Sequence, residues 1–145
     1  MVCLGNICRS PLAEGIMAAK AKNSDLHVDS AGTAGYHLGN PPDPRSVAVA
    51  AEHGIDIGGQ RCRQFQLSDF GDFDHIFAMD RSNLAHIHAL ARTPEERSKA
   101  VLLRDAAGEG ALEVPDPYYG GPEGFLTVYR ILDAACGRIL KNHLQ

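Results

Sequence analysis

A thiol and a guanidinium stand six positions apart in Cys3-Leu4-Gly5-Asn6-Ile7-Cys8-Arg9-Ser10-Pro11. Read as a loop that leaves a strand and curls into a helix N-terminus, this stretch turns successive N–H groups toward one centre. Those groups, with the positive helix end, make a cradle for an anion such as phosphate. The expected phosphate-binding residues are Leu4, Gly5, Asn6, Ile7, Cys8, Arg9 and Ser10. Gly5 permits torsions that a side chain would forbid. Arg9 can clamp two oxygens with its planar fork, which a lysine cannot do. Positive surroundings favour thiolate over thiol, so Cys3 is the candidate nucleophile. Ser10 is placed either to hydrogen-bond the Cys3 sulfur or simply to cap the helix. The plain alternative for Cys3, a buried and inert strand cysteine, requires neither a cradle nor a downstream arginine.

The elements that must hold this loop follow from punctuation and periodicity. Strand candidates are Met1 to Cys3, His27 to Ser30, His75 to Met79 and Ala100 to Arg104, alternating with helical segments as in a parallel α/β sheet. A first helix is expected from Ser10 as N-cap and Pro11 in the first turn, with Leu12, Ile16 and Ala19 on one face. A second follows Asp43-Pro44 and runs through Val47 to His53 before Gly54 ends it. Shorter helical turns are expected over Leu67 to Asp72 and Ser82 to Leu90. The last helix begins near Pro122 and carries Phe125, Val128, Leu132, Ala135 and Ile139 as an apolar stripe. Before it, the segment from Glu113 to Gly121 is too rich in Pro and Gly for regular structure and reads as a functional loop.

Size and composition bound what the fold can be. The 145 residues are 44% hydrophobic, which suits one domain with its own core, and no repeat or linker interrupts them. No apolar run approaches the roughly 20 residues that cross a bilayer, and the first residues carry no export signal, so no membrane insertion is expected. Four cysteines in a chain of this length point to a reducing compartment, the cytoplasm. A net charge of −4 gives no field for nucleic acid. The closest histidines, His86 and His88, are two apart and would face apart on a helix, so no metal site is expected.

The stretch from Cys3 to Pro11 resembles the low-molecular-weight protein tyrosine phosphatases, and three further stretches resemble them in the same order. These are Asp29-Ser30-Ala31-Gly32 with Pro42-Asp43-Pro44-Arg45-Ser46, then Ala78-Met79-Asp80-Arg81-Ser82-Asn83-Leu84, then Asp116-Pro117-Tyr118-Tyr119-Gly120. The resemblance covers nearly the whole chain. It implies one domain over residues 1–145, with a four-stranded parallel sheet, helices on both faces and the phosphate loop after the first strand. It differs in the brevity of the first strand, since only Met1 and Val2 precede Cys3.

The resemblance also assigns roles. An aryl ester leaves an oxyanion that must be protonated, and Asp116, stiffened by Pro115 and Pro117, takes the place of the family's general acid. On local sequence alone, a turn hydrogen bond competes with that role. Tyr36, Tyr118 and Tyr119 stand where the family has aromatics around the pocket mouth, with Leu4 and Ile7 completing the wall. Asn6, Ser10 and Ser30 match the polar network that supports the loop, while Gln60 replaces a histidine found in several relatives.

The implied activity is metal- and cofactor-independent hydrolysis of phosphotyrosine in proteins, and of small aryl phosphates, through a phosphocysteine on Cys3, with Arg9 and Asp116 as catalytic partners. Alternatives on the same scaffold are arsenate reduction, which needs a cysteine relay that the isolated Cys62 and Cys136 do not suggest, and protein-arginine phosphatase activity, which Ile7 disfavours. A non-catalytic phosphoprotein-binding module would not need Cys3, Arg9 and Asp116 together. Cys62 and Cys136 read as structural. Cys8 is the expected redox partner of Cys3, its rival reading being a small buried hydrophobe. Neither the physiological phosphoprotein nor an oligomeric state is written in a readable motif.

Overall fold

The computed structural model describes residues 1–118 and 120–144. Strands β1 (Val2–Cys3), β2 (Ala31–Gly32), β3 (Ile76–Ala78) and β4 (Ala100–Leu102) form one sheet in the order β2-β1-β3-β4. All pairings are parallel: Val2 with Ala31 and Cys3 with Gly32, Val2 with Ala78, and Ile76, Phe77 and Ala78 with Ala100, Val101 and Leu102. The chain visits one side of β1 first and the other side later. Such a reversal opens a crevice beyond the carboxyl ends of parallel strands, and the loop after Cys3 starts there.

The helices are α1 (Arg9–Lys20), α2 (Pro44–Glu52), α3 (Asp69–Asp72), α4 (Arg81–Leu90), α5 (Pro94–Lys99), α6 (Leu103–Ala106) and α7 (Pro122–His143). Alternate strand residues point to opposite faces. Cys3, Phe77 and Met79 accordingly join α1, α2 and α7 in one core, while Val2, Ile76 and Ala78 join Phe70 of α3 and Ile87 of α4 in another. Helices therefore cover both faces. On α7 the stripe of Phe125, Val128, Leu132, Ala135 and Ile139 is no more than 1% exposed. Burial of such side chains, worth about 1.5–3 kcal/mol for each large one, is what docks the helix.

The structure corrects several boundaries. The strand expected over His27 to Ser30 lies at Ala31–Gly32 instead, because the register sets Val2 beside Ala31 and residues 27–30 run past the ladder. The fourth strand stops at Leu102, and residues 103–106 turn into α6. Helix α1 starts at Arg9 with Cys8 at its cap, so Ser10 stands inside the first turn and caps nothing. Its buried face is Leu12, Ala13, Ile16 and Met17, and Ala19 at the margin of that face is exposed. Helix α5 was missed although Thr93-Pro94-Glu95-Glu96 is a capping signature, and the Thr93 side chain accepts from Glu96 N. By contrast, α2 starts as expected: Asp43 caps it by accepting from Arg45 N, with Pro44 in the first turn. No helix among the described residues is long and apolar enough to cross a membrane.

Candidate active site

The loop from Cys3 to Arg9 is held from outside by its own carbonyls. Thr33 N donates to Cys3 O, Ala34 N to Leu4 O and Asp43 N to Ile7 O, at 2.8–3.0 Å. Cys62 Sγ donates to Gly5 O at 2.9 Å and Ser46 Oγ to Cys8 O at 3.2 Å. With the carbonyls tied outward, the peptide dipoles point their N–H ends inward, as an anion cradle requires. Asn6 N donates to Cys3 Sγ at 3.3 Å. Asn6 takes a left-handed backbone with φ of 56°, a conformation that asparagine tolerates better than most residues.

Proton counting orients the network around the sulfur. Arg63 N donates to Asn6 Oδ1, which fixes the amide and aims Asn6 Nδ2 at both Ser10 Oγ (2.8 Å) and Ser30 Oγ (3.0 Å). Ser30 Oγ donates in turn to Glu14 Oε1 at 2.6 Å. Ser10 Oγ lies 3.0 Å from Cys3 Sγ and 3.4 Å from Ala31 O, and since a thiolate at Cys3 can only accept, the Ser10 proton goes to the nearer sulfur in that state. Glu14, which ends the chain of donors, has its carboxyl pushed up by burial, and the Ser30 hydrogen bond opposes this. Gln60 takes no direct part: it donates to Pro11 O, and its buried Oε1 has no partner among the described residues.

Arg9 is 3% exposed and is held through NH1 by Asp80 Oδ2 (2.8 Å) and Val114 O (3.0 Å). Asp80 also caps α4 by accepting from Asn83 N. On the other side, Arg9 NH2 lies 3.7 Å from Asp116 Oδ2. The two Asp116 oxygens divide the two readings of that residue: Oδ1 accepts from Tyr118 N in a turn, while Oδ2 faces Arg9.

These groups surround one cavity of about 290 Å³, lined by Cys3, Leu4, Gly5, Ile7, Cys8, Arg9, Tyr36, His37, Asp116 and Tyr118. Tyr36 is 75% exposed and stands at the mouth. Tyr119 lies outside the described residues. His37 was not anticipated; it packs on Gly5 and edge-on to Tyr36, and only its place beside Tyr36 could have suggested it. Asp80 was also missed as an arginine anchor, although an N-cap aspartate two residues past β3 sits at the same carboxyl end of the sheet as the loop.

The remaining thiols are held protonated. Burial pushes Cys8 up to about 12, with the negative charges of Asp43, Cys3 and Asp116 adding to it. Cys136, fully buried between α7 and α1, is likewise pushed to about 12 by burial. Cys62 is raised by burial and by Cys3. Both of the latter serve structure, Cys62 by carrying the Gly5 carbonyl.

Comparison with known proteins gives the same picture across the whole length. The chain is 42% identical to a low molecular weight protein-tyrosine-phosphatase of Streptomyces coelicolor, over 96% of this chain and 88% of that one. It is 38% identical to the human low molecular weight phosphotyrosine protein phosphatase, over 97% and 92% of the two chains. A protein tyrosine phosphatase from Entamoeba histolytica, solved with Hepes in its active site, superposes with a TM-score of 0.89 at 39% identity, covering 97% of this chain and 92% of that one. A Vibrio vulnificus protein solved with benzylphosphonate superposes at 0.86 and 31% identity, covering 97% and 94%. Residues 1–145 match the description of one family throughout, and the chain belongs to the low molecular weight phosphotyrosine protein phosphatases.

Proposed function

We propose that the chain hydrolyses phosphotyrosine in proteins, and small aryl phosphates, through a phosphocysteine on Cys3. The observation that carries this reading is the convergence of Cys3, Arg9 and Asp116 on one cavity, with the Cys3 sulfur receiving hydrogen bonds from Ser10 and Asn6 N. Cys3 Sγ attacks phosphorus as the P–O bond breaks, and Asp116 passes its proton to the departing phenolate. The inward amides and Arg9 hold the three remaining oxygens. Asp116, now a carboxylate, takes a proton from water, whose oxygen displaces the thiolate and releases phosphate. No metal or organic cofactor enters these steps.

Leu4, Ile7, Tyr36 and Tyr118 give the cavity apolar walls suited to a flat ring. Redox control belongs to the same reading. Peroxide converts the Cys3 thiolate to a sulfenic acid, and attack by Cys8 expels hydroxide to leave a disulfide that exogenous thiol reduces. Both thiols line the same cavity, which supports this pairing. Four unpaired cysteines suit a reducing compartment, the cytoplasm.

The decisive experiment is p-nitrophenyl phosphate hydrolysis by Cys3→Ser. Turnover should vanish while vanadate binding persists, since the cradle remains; near wild-type turnover would remove Cys3 from the nucleophile's place. Phosphotyrosine peptides should be cleaved far faster than phosphoserine or phosphoarginine peptides.

A further inference from the structure

We propose that Arg45 is a positioning residue for the loop that carries Asp116: it ties that loop to the phosphate cradle without touching the phosphoester. The assignment rests on the reading of Asp116 as general acid. Arg45 stands in the first turn of α2 and is gripped by Asp43 through two parallel bonds, Nε to Oδ1 at 3.0 Å and NH2 to Oδ2 at 2.9 Å. Asp43 is itself fixed to the cradle, because its backbone N–H donates to Ile7 O at 2.8 Å. The adjacent residue in the same turn of α2 repeats the attachment, Ser46 Oγ donating to Cys8 O. The guanidinium is thus an outrigger of the phosphate loop.

Its far side reaches the acid loop. Arg45 NH1 donates to Gly120 O at 3.3 Å, and the guanidinium carbon lies 5.6 Å from the Tyr118 ring centroid and 4.5 Å from that of Phe125 at the start of α7. Tyr118 N in turn donates to Asp116 Oδ1. Fixing Tyr118 and Gly120 therefore fixes the acid's carboxyl, and the other end of the loop is tied where Val114 N donates to Met79 O at 2.7 Å. A planar fork that binds a carboxylate on its edge and stacks rings on its face suits this bridge, and an ammonium does not.

The test is steady-state kinetics on phenyl phosphate and p-nitrophenyl phosphate for the wild type, Arg45→Ala, Arg45→Lys, Asp116→Ala and the Arg45→Ala/Asp116→Ala double variant. Vanadate inhibition and thermal melting are measured alongside. A slightly misplaced acid costs most when the leaving oxygen is basic, so Arg45→Ala should lose about tenfold or more in kcat/KM, which reports phosphoenzyme formation, on phenyl phosphate and under about threefold on p-nitrophenyl phosphate. Arg45→Lys should recover little, and vanadate inhibition should hold. In the Asp116→Ala background, removing Arg45 should cost nothing further on phenyl phosphate. Equal losses on the two substrates, weakened vanadate inhibition, or losses that multiply in the double variant would each overturn the assignment. If Asp116→Ala itself shows no leaving-group preference, the acid reading fails first, and the role of Arg45 falls with it.

Discussion

The Ser10 hydroxyl lies 3.0 Å from Cys3 Sγ, although Ser10 stands inside the first turn of α1 and caps nothing. A thiolate at Cys3 can only accept, so in the ionised nucleophile the Ser10 proton is directed to the sulfur, while Asn6 Nδ2 donates to the same hydroxyl. That bond matters most when the thiolate leaves the phosphoenzyme. Ser10→Ala should therefore slow breakdown of the phosphocysteine more than its formation, so that phosphoenzyme accumulates. With a hydrogen bond to a charged group worth about 1.5–3 kcal/mol, turnover should fall about tenfold to a hundredfold. Rapid-quench trapping of the phosphoenzyme reads this directly, and a turnover loss without accumulation would place Ser10 in loop folding alone.

Gly32 should prove as sensitive as any polar member of the cradle. A Cβ there would lie 2.8 Å from Leu4 O and 3.1 Å from Asn6 N, both backbone atoms of the phosphate loop. The clash cannot be relieved by rotating a side chain. Gly32→Ala should cost about 1–3 kcal/mol of stability and weaken vanadate binding together. Gly59→Ala, where a Cβ would meet nothing within 4 Å, is the control. Vanadate binding unchanged in Gly32→Ala would mean that the loop accommodates the methyl.

How far the sequence reveals this site depends on whether a residue acts through local chain geometry or through the fold. The Cys3 to Ser10 loop is local, as is the Asp43 cap of α2, so spacing and residue type were enough to anticipate them. The position of β2 depends on which residues lie beside Val2 across 29 positions of chain, and no local propensity contains that register. The partners of Arg9 are remote in the same way: Asp80 is 71 residues away and Val114 is 105. Cys62 showed no partner in sequence because its acceptor, Gly5 O, is a backbone group that any residue could have offered.

Cys8 should be the slow thiol of the cavity. With its thiol pushed up to about 12 by burial and neighbouring negative charge, the reactive thiolate at pH 7 is a fraction on the order of 10⁻⁵. Iodoacetamide at neutral pH should therefore label Cys3 well before Cys8, as peptide mapping would show. After peroxide treatment, the rate of Cys3–Cys8 disulfide formation should climb with pH through 8 and 9, about tenfold per unit while Cys8 is the attacking group. A trapping rate independent of pH would mean that Cys8 is not the attacking thiol.

Glu14 should make stability depend on pH in the direction opposite to a salt-bridged carboxylate. Its carboxyl is raised chiefly by burial and further by Asp29, against the lowering effects of Ser30, the N-terminal amine and Arg63. The folded protein thus holds this proton more tightly than the unfolded chain. Below the ordinary glutamate range both states carry the proton, and the stabilising contribution is fully present. As pH rises through the higher folded value the unfolded chain has already released its proton, and the contribution is lost. Glu14→Gln keeps an oxygen to accept from Ser30 Oγ, which now donates at 2.6 Å, but removes the charge. The melting temperature of the variant relative to wild type should therefore increase from about pH 4.5 toward pH 7, the interval above the ordinary glutamate value. Thermal melts at half-unit steps measure the difference. A constant offset across that interval would mean that Glu14 ionises alike in both states, and a narrowing offset would reverse the sign of its linkage.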